Sequence, residues 1–105
     1  MRQNKMELVV DEIFTFKLTS GEELVGKVVK IELPVVLLQD PVSIGPNGQG
    51  SLGLIPSMFT VNPRSQVRLN TQNVTLIAET DEAVKSKYIE ATTGLKVPDK
   101  KVILG

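Results

Sequence analysis

The chain has no cysteine, no histidine and no tryptophan, and among its 105 residues are one tyrosine and three phenylalanines. Without cysteine there is no disulfide, no thiolate nucleophile and no cysteine-held zinc. Without histidine the commonest general base and the commonest metal ligand are both missing. An enzyme of this composition has to work with carboxylates, lysine or serine alone, so the sequence is read as that of a non-enzyme with no cofactor. Twelve basic and twelve acidic residues cancel, which excludes duplex binding through a strong overall positive field. No apolar run reaches the length of a membrane span, and Met1 to Leu8 lacks the apolar stretch of a signal peptide. The expectation is one soluble, cytoplasmic domain over 1–105, long enough to bury roughly 60–70% of its unfolded surface in an aliphatic core.

What the chain does contain is β patterning. Residues 1–11 read as a polar tail. From Glu12 to Leu18, Phe14, Phe16 and Leu18 alternate with Ile13, Thr15 and Lys17, the period of a strand. Thr19-Ser20-Gly21-Glu22 is a turn in which Gly21 takes a positive φ without steric cost. Glu23 to Ile31 is a second strand with apolar residues on both faces, and Gly26 at its middle marks a sharp bend or a close backbone approach. Pro34 interrupts the pairing before a third strand, Val35 to Leu38, which ends at Asp40-Pro41. Gly45 to Ser51 reads as a mobile loop or hairpin tip; it lacks the lysine and the following helix of a nucleotide loop. Leu52 to Val61 is a fourth strand kinked near Pro56, with Phe59 read as core or interface. Asn70 to Asn73 is a polar turn, and Val74 to Glu79 a fifth strand. The period then changes. Thr80 caps a helix over 80–94, with Val84, Tyr88 and Ala91 as one apolar stripe, an Asp81–Lys85 pair and Gly94 as its stop. Residues 95–105 are a terminal extension that includes Val102-Ile103-Leu104.

The fold class expected is therefore mainly β: a small, strongly bent five-stranded barrel over 12–79 with a C-terminal helix. Two segments resemble the motifs of the Sm-like family. The first is Leu18-Thr-Ser-Gly21-Glu-Glu-Leu24-Val-Gly26-Lys-Val28 continuing to Ile31-Glu32 and Val35-Val36-Leu37. The second is Leu69-Asn70-Thr71-Gln72-Asn73-Val74-Thr75-Leu76-Ile77. The whole chain is also similar to the small Sm-like proteins of marine cyanobacterial phages, which would place it in the host cytoplasm. The resemblance implies a cyclic homo-oligomer, a ring in which the chain's partner is itself, with RNA or single-stranded DNA bound around the pore. It implies structural roles for Gly21 and Gly26, and Lys30, Glu32, Arg68, Asn70, Gln72 and Asn73 as nucleic-acid contacts. The family's base-stacking and base-reading positions are Val35 and Val36 here, and its Arg-Gly pair is Asn70-Thr71, so the usual base pocket is missing.

The function expected is thus a ring-forming nucleic-acid-binding protein in processing or regulation. The alternative is a structural or adaptor ring that binds protein partners through its helix or loops. Each candidate also has a plainer reading. Asn70, Gln72 and Asn73 are turn formers, Lys30 and Arg68 are ordinary solvated charges, Glu22 and Glu23 belong to a solvated turn, and the helix stripe docks on its own sheet.

Overall fold

The computed structural model describes residues 7–46, 50–62 and 65–93. The expectations for residues 1–6 of the tail, for the tip of the Gly45–Ser51 loop, for Gly94 and for 95–105 lie outside those residues. Six strands and one helix follow in order: β1 (Ile13–Leu18), β2 (Glu23–Glu32), β3 (Val35–Pro46), β4 (Leu52–Pro56), β5 (Gln66–Asn70), β6 (Val74–Glu79) and α1 (Glu82–Thr93). A 3-10 turn, Thr71–Asn73, links β5 to β6. All pairings are antiparallel: β6 lies beside β1, β1 beside β2 and β2 beside β3. β3 is long enough to hold two partners end to end, β5 along Val35–Gln39 and β4 along Val42–Pro46.

Two expectations are corrected here. The strands number six, because Gln66–Asn70 forms one of its own. The sheet is also not closed into a barrel. β5 and β6, though neighbours in sequence, are carried by their 3-10 turn to opposite edges, β3 and β1, and no ladder joins them among the described residues. The third strand also does not stop at Asp40-Pro41. Between Lys27↔Gln39 and Val25↔Val42, β2 advances two residues while β3 advances three, so β3 carries a bulge there. Asp40 sits at φ 51°, and a bulge is one of the few places where a strand accepts proline. The strand continues beyond it to Pro46, which takes in the start of the expected loop.

Gly21 is at φ 95°, as the turn requires. At Gly26 a Cβ would lie 3.3 Å from the Leu38 side chain, so the glycine is there for close approach. One core cluster forms between β1, β2 and the first half of β3, from Phe14, Phe16, Leu24, Val28, Val36 and Leu38. A second cluster, Val25, Val42 and Tyr88, lies on the opposite face under α1, with Ile13, Ile44, Leu54 and Val84 packed around it. The apolar residues on both faces of β2 are thereby explained.

Asp81 caps the helix, not Thr80: its Oδ2 accepts from the Ala83 N–H at 3.0 Å. The Thr80 hydroxyl, which is buried, instead hydrogen-bonds that of Thr15 at 2.9 Å. Lys85 pairs with Glu82 at 3.7 Å and not with Asp81. Tyr88 is the helix's one buried residue. Its hydroxyl donates to the Gln39 carbonyl at 2.7 Å and accepts from the Lys27 N–H at 3.1 Å. Lys27 and Gln39 are the paired residues beside the bulge, so the helix is bonded into the sheet where the ladder shifts. Burial holds the Tyr88 proton well above the usual phenol range; the Lys27 N–H opposes that shift and Asp40 adds to it.

Candidate interaction surface

The register gathers four of the sequence candidates on one face. Leu37 of β3 is flanked by Lys30 on β2 and Arg68 on β5, and Val35 is flanked by Glu32 and Asn70. Two rows three strands wide result, with Lys30, Glu32, Val35, Leu37 and Arg68 lining a hollow of about 180 Å³. The Lys30 ammonium meets the Glu32 carboxylate at 3.0 Å, both largely exposed, a pair worth little in water. Arg68 makes no ion pair among the described residues. Asn70 is engaged locally: its Oδ1 accepts from the Gln72 N–H at 2.9 Å and caps the 3-10 turn. The Asn73 carbonyl accepts from the Thr19 N–H at 2.8 Å, and Thr71 donates through both N–H and Oγ1 to the Pro34 carbonyl. These contacts tie the turn to the β1–β2 and β2–β3 connections.

A second feature was not legible as such in the sequence. The apolar run Leu52–Val61 is read there as one strand, but the strand ends at Pro56. The residues that follow stand out from the body of the fold: Met58 is 45% exposed, Phe59 79% and Val61 37%. Of the two readings of Phe59, core or interface, the exposure removes the first. Met58 and Val61 line a cleft of about 340 Å³ together with Val42, Leu54 and Val67 of the sheet and Ala91 and Thr92 of α1. Met58 and Val61 also wall a more open groove of about 530 Å³ that runs along β5 to Arg68. The available signal in the sequence was the bracketing of five residues, Ser57 to Val61, by Pro56 and Asn62-Pro63. A stretch so bracketed has no room to continue a ladder.

The cleft's one charged lining residue is Asp40. The Ser57 hydroxyl donates to the Pro41 carbonyl at 3.0 Å and the Thr92 hydroxyl to the Tyr88 carbonyl at 2.7 Å. Among the described residues no three acidic side chains approach closely enough to hold a metal ion, and no helix is long and apolar enough to cross a membrane.

No family model matches the chain, and neither does any curated protein. Among solved structures, one chain of the crystal structure of the NatC complex bound to CoA is similar, with a TM-score of 0.46 and 17% identity. The match spans 79% of this chain and 99% of that one. A likeness of that size carries no activity across. The Sm-like assignment is corrected: no family model matches the chain, and the sheet is open. The RNA-binding pore, the phage connection and the ring go with it. Both expected functions, the nucleic-acid ring and the adaptor ring, depended on that assignment.

Proposed function

We propose that this chain is a non-catalytic domain that binds another polypeptide, with Met58, Phe59 and Val61 at the centre of the contact. One observation carries the reading: three large apolar side chains are exposed on a single short loop, and two of them, Met58 and Val61, line an apolar cleft. Isolated exposed apolar residues are ordinary on protein surfaces, but a contiguous group beside a concave apolar wall marks a contact site. Aromatic and methionine side chains are also the types enriched at the centre of protein interfaces. The absence of cysteine and histidine from the chain, and the engagement of the Ser57 and Thr92 hydroxyls with backbone carbonyls, support binding over catalysis.

Site-specific photocrosslinking tests this. With benzoylphenylalanine in place of Phe59, irradiation in an extract of the source cells is expected to give an adduct with one discrete polypeptide. The same group at Glu90, exposed on α1, is expected to give none. Equal labelling at both positions, or none at either, contradicts the reading.

A further inference from the structure

We infer that the partner engages by adding an extended segment to the free edge of β5, with apolar side chains against Met58 and Val61 and a carboxylate against Arg68. The inference rests on the protein-binding reading and names the class of partner. Among the described residues β5 pairs on one side only, with β3, and no strand occupies its other edge. An unoccupied edge presents a row of backbone donors and acceptors, the template on which a partner strand is received. The groove of about 530 Å³ brings together Met58 and Val61 of the loop, Gln66, Val67 and Arg68 of β5, and Leu37 of β3. Five residues of strand span about 17 Å, so a segment of five or six residues fills it.

Charge decides the remaining specificity. Lys30 is already paired with Glu32, which leaves the Arg68 guanidinium as the unmatched charge on this face. Its planar fork of donors suits a carboxylate, which it can bind in bidentate fashion. A segment carrying lysine at that position would set like charges together, which is unfavourable. The other edges are less suited. β4 has no charged residue, and β6 carries its one charge, Glu79, at its end.

The test uses the full chain and three synthetic six-residue peptides with capped ends. The first alternates valine and threonine around one glutamate. The second replaces the glutamate with lysine. The third keeps the glutamate but has N-methyl groups on the backbone nitrogens that would enter the ladder. Binding is read by fluorescence anisotropy, and its location by hydrogen exchange of the β5 amides. The glutamate peptide is expected to bind and to slow exchange across Val67–Asn70. The lysine peptide is expected to bind roughly tenfold more weakly, the size of one charge-assisted contact. The N-methylated peptide is expected not to bind, and Arg68→Glu should reverse the preference between the first two. Protection at β4 or β6 and not at β5, equal binding of the N-methylated peptide, or β5 protected by self-association without peptide would each overturn the inference. If Phe59 still captures a polypeptide while β5 stays unprotected, this inference fails and the protein-binding reading stands. If neither result is obtained, both fail.

Discussion

The two sides of this sheet are finished differently. On one, Phe14, Phe16, Val28, Val36 and Leu38 are almost wholly withdrawn from water and packed against one another across three strands. On the other, α1 covers Val25 and Val42 through one buried residue, Tyr88, and among the described residues Met58 and Phe59 stay exposed. A chain that buries five large side chains completely in one place does not leave Phe59 largely exposed for want of folding capacity. The comparison separates residues that hold the fold from residues that the fold holds out, and the second group is where a partner belongs.

The most severe way to break that contrast is to empty the sealed side. Phe16→Ala should lower stability by about 3–5 kcal/mol, measured by urea unfolding, enough to unfold a domain of ordinary stability. Tyr88→Phe sharpens the contrast at the helix. It removes the hydroxyl that bridges Lys27 and Gln39, and the expected loss is about 1–3 kcal/mol, with faster hydrogen exchange at the Lys27 amide. Tyr88 also gives the chain a pH dependence that can be assigned. The folded state holds the phenol proton more tightly than the unfolded chain, so this contribution is fully present below the unfolded pKa of about 10 and is lost as pH rises through the folded value. Tyr88 is the one tyrosine in the sequence. Tyrosinate absorbance should therefore report it alone, titrating late in the native protein and near the ordinary value in urea; coincident curves would contradict its burial.

Gly26→Ala should cost less. The new methyl meets Leu38 at 3.3 Å, and Leu38 is fully buried in the core. Overpacking of about 1–3 kcal/mol is offset by the roughly 0.5–1 kcal/mol that alanine recovers in a strand, leaving a net loss of about 1 kcal/mol by thermal unfolding. The smallest stability effect is expected at Phe59.

Much of the scaffold was legible because its signals are local. The alternation of Phe14, Phe16 and Leu18 gave a strand with the right inner face. Gly21 gave the turn, and Gly26 gave the close approach. The change of period after Thr80 gave the helix and its stripe through Tyr88. What was not legible depended on partners distant in sequence. Asp40-Pro41 looks like an end, yet β3 continues through it because a bulge opposite Lys27 absorbs the proline. Gln66–Asn70 is too short to declare itself and becomes a strand only against Val35–Gln39. The same register sets Lys30 and Arg68 on either side of Leu37, a neighbourhood that no local signal in the sequence reveals. The family resemblance attached to them was not supported. Phe59 was left open between core and interface for a simpler reason. Hydrophobicity in a sequence does not distinguish a side chain meant for its own core from one meant for another molecule's.

That distinction is the claim most worth testing, and Phe59→Ser tests it directly. Urea unfolding and crosslinking yield, with the photoreactive group moved to Met58, would be measured on the same variant. The expected result is stability within about 0.5 kcal/mol of the parent and loss of the crosslinked partner. A fall of about 2 kcal/mol or more with capture unchanged would make Phe59 a packing residue and contradict the account.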